Sequence, residues 1–167
     1  MRHWRRALRH VFGSWFALPR AFPRATRTAI EAAIAHSEVT HLGEICFAVE
    51  SRLPLGEVLR GLTSRRRAVQ LFAGLGVWET EANTGVLIYV LLAEHAVEIF
   101  VDRGVARRVS SEHWEAICVA MGERFAQGDF RAGALEGVAA AAQLLKLHFP
   151  SVGRVNRNEL PDEPVLL

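Results

Sequence analysis

Four oxygen-bearing side chains fall at spacings that would suit a hard cation. Glu79, Glu81 and Asn83 come just before one apolar run, and Asp102 ends the next. If the two runs are strands of an antiparallel hairpin, the first begins at the sheet end where the second finishes. Ca²⁺ and Mg²⁺ prefer carboxylate and amide oxygens. The set predicts a divalent metal site; the alternative is a solvated loop with Asn83 as a turn residue.

Three arginines follow the second run, just before a helix start predicted at residues 110–111. They are Arg103, Arg107 and Arg108. Helix N-termini and arginines both attract anions, so this loop is a candidate phosphate or carboxylate site. The alternative is that the arginines pair with the two glutamates of the metal set.

Known catalytic motifs are not found in this sequence. It contains no Gly-x-Ser-x-Gly, no P-loop and no Cys-x-x-Cys. Cys46 falls in a predicted strand and Cys118 in a predicted helix, which is typical of small buried hydrophobes rather than a disulfide. His36 and His41 are five residues apart, and we expect both on the surface. No residue is assigned a catalytic role.

Hydrophobic periodicity predicts the elements that position these residues. The seven-residue apolar run at 86–92 has the length of a buried strand, and the four-residue connection to the next predicted strand indicates a tight antiparallel hairpin. One strand is apolar on both faces, so helices must cover both sides of the sheet. We therefore expect an α/β protein, a three-layer α/β/α sandwich with a small mixed sheet and a central antiparallel hairpin. Strands are predicted at 44–50, 86–92 and 97–102, and helices at 28–41, 64–74, 111–126 and 129–148.

Short motifs in this order resemble the TPM domain family over roughly residues 28–148. They are Gly43-Glu44-Ile45, Thr80, Asn83-Thr84-Gly85-Val86-Leu87-Ile88, Asp102-Arg103-Gly104 and Gly128-Asp129-Phe130. The resemblance implies the α/β/α sandwich and, for some members, divalent-metal binding and weak acid-phosphatase activity. This chain departs from the family pattern twice. Ala82 stands where an acid often precedes Asn-Gly, and Asp102 replaces the first glycine of Gly-x-Gly, both where the family's metal site would be.

The first 27 residues are strongly basic. They hold seven arginines and no acid, which leaves 13 Lys and Arg against 18 Asp and Glu in the rest of the chain. Apolar residues at helical spacing predict an amphipathic basic helix. We expect it to contact a membrane face or a protein partner; the alternative is packing on its own domain. The predicted contact residues are Trp4, Arg5, Arg9 and Trp15.

Three segments follow from this pattern: a basic arm at 1–27, a TPM-like domain at 28–149 and an irregular tail at 150–167. No apolar run approaches the roughly 18–20 residues that span a bilayer, so we expect no transmembrane helix. The acidic body argues against a nucleic-acid partner.

We expect a non-catalytic TPM-like interaction or binding module, held through its arm at an anionic membrane surface or a protein partner. The alternative is a divalent-metal-dependent, phosphatase-like hydrolase using Asp102 and Ca²⁺ or Mg²⁺. The expected location is cytoplasmic, peripheral on the inner membrane face where the arm binds lipid.

Overall fold

The computed structural model describes His10, residues 17–152 and residues 158–167. Its helices and strands are interspersed along the chain. In order they are α1 (Ala17–Ala21), α2 (Arg24–Glu38), β1 (Glu44–Glu50), α3 (Leu55–Leu59), α4 (Ser64–Gly74), β2 (Gly85–Leu91), a 3₁₀ turn (Leu92–Glu94), β3 (Ala96–Val101), α5 (Arg103–Ala106), α6 (Ser111–Ala126), α7 (Phe130–His148) and β4 (Val165–Leu166).

The strands form one mixed sheet in the order β3-β2-β1-β4. β1 runs parallel to β2 and to β4, whereas β2 and β3 are antiparallel. The predicted hairpin is therefore confirmed, with β2 starting one residue earlier than expected, at Gly85. Every residue of β1 and β2 is buried, so both faces of the central strands pack against other elements.

Helices cover both faces of the sheet, and the α/β/α sandwich is confirmed. Side chains alternate between the faces along each strand. Phe47 and Ile88 point into a core shared with α2, α6 and α7. Ala48 and Tyr89 point into a second core shared with α3 and α4.

The first long helix begins earlier than the sequence indicated. The sequence predicted a helix from residue 28, where Thr28 and Glu31 have the form of a capping box, but α2 begins at Arg24, directly after Pro23. Proline fixes φ near the helical value and suits a helix start. Phe22, in the segment assigned to the arm, is 1% exposed and packs 6.0 Å from the Phe47 ring. This part of the arm therefore contributes to the core.

The C-terminal residues are not wholly irregular. β4 pairs with β1 through Ala48–Val165 and Val49–Leu166, and it covers a strand that would otherwise be an open edge. The carboxylate of Glu44 accepts the backbone amides of residues 159 and 160 at 3.2 and 3.3 Å. A two-residue strand has no periodicity to read, so the sequence could not reveal it.

Two expectations about titratable side chains have different outcomes. His41 is fully buried rather than on the surface, and burial lowers its pKa. Its ring hydrogen-bonds with the Gly43 backbone at the entry to β1, which is why it lies inside. Cys46 is buried and Cys118 half-buried, and both are free thiols. Burial raises the pKa of each thiol to about 11, so they behave as hydrophobes as expected.

A buried polar network ties α4 to the sheet. Glu50, at the end of β1, is 4% exposed. Arg67 donates from Nε and Nη2 to its two carboxylate oxygens, at 2.9 and 3.0 Å. The Tyr89 hydroxyl donates to the same carboxylate at 2.7 Å. Because Glu50 is buried, removing Arg67 leaves an uncompensated buried charge, whereas removing the Tyr89 hydroxyl removes one hydrogen bond to that charge.

We predict that Arg67→Met lowers the free energy of unfolding by about 3–5 kcal/mol, because it strands the Glu50 carboxylate in the core. Tyr89→Phe should cost less, about 1–3 kcal/mol, since it removes one hydrogen bond to that charge. Urea unfolding measures both. Arg66→Met, at the exposed neighbouring position, is the matched control. A loss below about 1 kcal/mol in Arg67→Met would contradict this account.

Glu38 makes stability depend on pH. Burial, and then the charges of Glu44 and Asp162, raise its pKa to about 8, against a smaller opposing effect of the Ile45 amide. Its folded-state pKa exceeds the ordinary value of 4.5, so its contribution is complete below pH 4.5 and is lost as pH rises through 8. Glu38→Gln should therefore gain stability relative to wild type between pH 5 and about pH 9. Melting temperatures measured across this range test it, with Glu31→Gln as an exposed control on the same helix. A pH-independent difference would refute it.

Candidate functional site

The turn before β2 is held by backbone and hydroxyl contacts. The Thr84 amide donates to the Thr80 hydroxyl oxygen at 2.9 Å, and the Asn83 amide donates to the Thr80 carbonyl at 3.0 Å. The Thr84 hydroxyl donates to the Leu42 carbonyl at 2.8 Å. Asn83 has φ of 53°, a left-handed conformation that asparagine tolerates better than most residues. These contacts fix Asn83 at the end of the sheet.

Two glycines allow this turn to lie directly on its neighbours. A Cβ at Gly85 would collide with the Val77 carbonyl oxygen, and one at Gly104 would collide with the Asn83 carbonyl oxygen. Overpacking of this kind costs about 1–3 kcal/mol. The Val77–Asn83 segment is thereby pressed against the starts of β2 and α5.

Asp102 lies where β3 ends and α5 begins. Its amide donates to the Gly85 carbonyl at 2.8 Å, and its Oδ1 accepts the Arg103 amide at 2.6 Å. The residue is 6% exposed. Its Oδ2 is buried and has no hydrogen-bond partner among the described residues. Such an oxygen is costly to leave unsatisfied, so it marks a place where a donor from a ligand would be favourable.

A cavity of about 320 Å³ opens beside Asp102. Its polar lining includes Asn83, Asp102 and Arg103, and its aromatic wall consists of Phe72, Trp78 and Phe100. The Phe72 and Phe100 rings lie 4.9 Å apart, and Trp78 is 52% exposed. Sequence reasoning missed this wall. Its only signal was a tryptophan in a polar loop five residues before Asn83.

Only two of the four predicted metal ligands lie at the same site. Asn83 and Asp102 line the same cavity, whereas Glu79 and Glu81 are exposed and do not line it. The Glu81 amide instead donates to the Glu159 carboxylate at 3.1 Å. Within the described ranges, no group of three or more His, Cys, Asp or Glu side chains is placed to hold a metal ion. The four-residue site stays a prediction.

The three candidate anion-binding arginines have different surroundings and do not form one site. Arg103 lines the cavity with Asp102. Arg108 donates to the His148 carbonyl at 2.7 Å and stacks 4.7 Å above the Phe149 ring, so it closes the end of α7. Arg107 is exposed. In the part of the chain that the structure describes, none of the three pairs with the glutamates of the metal set. Anion binding at this loop also stays a prediction.

The predicted arm contacts Trp4, Arg5, Arg9 and Trp15 lie outside the described residues. His10 is described, and it is 2% exposed. Its Nε2 lies 2.7 Å from a Glu94 carboxylate oxygen, and its Nδ1 accepts the Leu53 amide at 3.0 Å. The arm therefore contacts the domain beyond the carboxyl ends of β1 and β2. No helix among the described residues is long and apolar enough to cross a membrane.

The TPM domain model matches residues 19–144, about three quarters of the chain. The chain belongs to the TPM domain family. An NMR structure of the BA42 protein from the psychrophilic bacterium Bizionia argentinensis is 28% identical, with a TM-score of 0.74, covering 86% of this chain and 93% of that one. The N-terminal domain of a P. gingivalis protein, solved by solution NMR, shares the fold at 19% identity and a TM-score of 0.60, covering 73% of this chain and 74% of that one. No curated protein matches.

The TPM motifs of this chain position the backbone. A Cβ at Gly43 would press on the Leu145 side chain, so β1 lies close to α7. Asp129 caps α7 by accepting the Ala132 amide at 3.3 Å. The Phe130 ring packs 5.8 Å from Phe22. Asp102 is the motif position whose side chain both lines a cavity and keeps an unsatisfied oxygen.

Proposed function

We propose that this protein is a non-catalytic TPM-type binding module. Its binding site is the cavity beside Asp102, and its basic arm attaches it to an anionic membrane surface or a protein partner. The observation that carries the proposal is the buried Asp102 Oδ2, which has no hydrogen-bond donor among the described residues. Asp102 also lines a cavity with an aromatic wall. A concave site with few polar groups and an apolar wall is typical of ligand binding.

The alternative, a metal-dependent phosphohydrolase, has weaker support. Asp102 and Asn83 are the residues that would hold a divalent ion, which would act there as a Lewis acid on a phosphoryl oxygen. One carboxylate and one amide are a poor donor set for Ca²⁺, which takes about six to eight oxygens. The described lining includes no hydroxyl, thiol or imidazole to serve as nucleophile or base. These side chains favour binding without turnover.

We therefore expect turnover of an aryl phosphate to stay near the uncatalysed background, with or without millimolar Ca²⁺ or Mg²⁺. The reason is that a single carboxylate supplies too little charge to hold a catalytic metal. The assay follows phenolate release by the purified full chain. Robust metal-dependent turnover that disappears in Asp102→Ala, but persists in the surface control Glu123→Gln, would establish the hydrolase instead.

The arm supports the attachment half of the proposal. Its arginines and tryptophans have the composition of an interfacial helix. His10 attaches the arm to the domain beyond the carboxyl end of β1. Leu55 and Leu59, in the helix that follows β1, are 43% and 59% exposed. A basic arm sequence together with exposed leucines suits an anionic lipid surface. We propose a peripheral position on the cytoplasmic face of the inner membrane.

We predict that the full chain co-sediments with phosphatidylserine-containing vesicles and that binding weakens as salt rises. Each cation near an anionic surface contributes about 1 kcal/mol, and salt screens it. Deleting residues 1–9 should abolish most of the vesicle binding. This deletion retains His10 and Phe22, which pack against the domain. Trp4→Ala/Trp15→Ala should weaken it, whereas Trp78→Ala should not. Equal binding to neutral vesicles, or none to anionic ones, would rule out lipid attachment and leave a protein partner.

A further inference from the structure

The cavity beside Asp102 combines one carboxylate with three aromatic rings. The rings are those of Phe72, Trp78 and Phe100. We propose that this cavity binds an organic cation, the ammonium or guanidinium group of a lysine- or arginine-like ligand, between the Asp102 carboxylate and these rings. The inference rests on the proposed function, because it names the ligand class of the same site.

Asp102 supplies the charge and the acceptor. Its Oδ1 is used by the Arg103 amide at 2.6 Å, whereas its Oδ2 is buried and has no partner among the described residues. Because Oδ2 is buried as the cavity stands, the Asp102 side chain must turn toward the cavity before an ammonium or guanidinium N–H can donate to this oxygen and bring the opposite charge. Charge-assisted hydrogen bonds of this kind are about twice as strong as neutral ones.

The aromatic wall supplies the second half of the recognition. Cations are attracted to ring faces within about 6 Å, and tryptophan is the strongest partner. Trp78 is half exposed at the cavity, and the Phe72 and Phe100 rings meet at 4.9 Å behind it. The Arg65 guanidinium carbon already lies 4.9 Å from the Phe100 centroid, so one face of that ring is occupied by a cation of this chain. Of the three rings, Trp78 is therefore the most accessible to a ligand.

Metal ions and anions suit this lining less well. Aromatic carbons do not ligate Ca²⁺, which needs about six to eight oxygens, whereas a weakly hydrated organic cation needs few acceptors and benefits from ring faces. A phosphate would face the Asp102 carboxylate. Arg103 lines the same cavity and is exposed, so its charge competes with a cationic ligand and would assist an anionic one.

The test is an NMR titration of the ¹⁵N-labelled full chain with methylguanidinium chloride and with n-butylammonium chloride. We expect saturable shifts of the Asn83 and Asp102 amides and of the Trp78 indole, with dissociation constants on the order of millimolar. Asp102→Asn keeps a helix-capping oxygen but removes the charge, and it should weaken binding by about tenfold. Trp78→Ala should weaken it by about three- to tenfold. Glu81→Gln removes an exposed carboxylate outside the lining and should leave the affinity unchanged.

Arg103→Ala separates a cation site from an anion site. Removing the competing charge should tighten methylguanidinium binding by about two- to fivefold, in the direction that Coulomb's law requires. Inorganic phosphate, titrated in parallel, should produce no saturable shift at these positions. Phosphate binding that Arg103→Ala abolishes would overturn the proposal and assign the cavity to anions.

The inference fails if neither organic cation gives saturable shifts, or if the shifts survive both Asp102→Asn and Trp78→Ala. It also fails if CaCl₂ saturates the site in an Asp102-dependent way while the organic cations do not bind. None of these results decides the proposed function, which fails separately on metal-dependent turnover of aryl phosphate. The two failures are therefore distinguishable.

Discussion

At one end of the sheet, two carbonyl groups approach the backbone of neighbouring segments so closely that no side chain fits between them. The Val77 carbonyl lies against Gly85, and the Asn83 carbonyl lies against Gly104. Because both contacts are between backbones, the segment from 77 to 83 cannot shift without separating from the first residue of β2 and from α5. The positions of Trp78 and Asp102 across the cavity follow from this constraint.

The position of Phe72 in the cavity wall depends on the contacts that hold α4. Arg65-Arg66-Arg67 lies in the first turn of α4. In the structure Arg67 is committed to the buried Glu50 carboxylate, and Arg65 donates to the Ile99 carbonyl at 2.6 Å. The second contact also covers a backbone acceptor on the open edge of β3, where unpaired groups invite strand pairing with other chains. These bonds hold α4, and Phe72 on it, against the hairpin.

The predictable part of the fold was the part with strong periodicity. β1 was assigned its observed bounds as an apolar stretch between Glu44 and Glu50, and the hairpin followed from a short connection between two apolar runs. The start of α2 was misplaced because Thr28 imitates a capping box inside a helix that Pro23 had already begun. β4 is too short to leave a pattern, and its place is determined by the unpaired edge of β1. Tertiary context decides such elements.

The site was predictable in position but not in chemistry. Strand polarity alone placed Asn83 and Asp102 together, because antiparallel neighbours begin and end at the same edge. It did not indicate that Glu79 and Glu81 stay in solvent, since consecutive loop residues have no preferred face. Trp78 gave no periodic signal, because an aromatic residue in a loop belongs to no helix or strand pattern.

The same reasoning explains how TPM relatives can share this fold without sharing a ligand. The motif glycines and caps of this chain serve backbone contacts that the sandwich itself requires. In our proposal the ligand is selected by Asp102, which replaces the first glycine of Gly-x-Gly, and by two positions outside the motifs, Ala82 in place of an acid and Trp78 at the cavity wall. A site with several carboxylates favours a small divalent ion, because each adds both charge and an oxygen ligand. A site with one carboxylate and three rings favours a larger, weakly hydrated cation, because ring faces stabilise charge without replacing a hydration shell of oxygens.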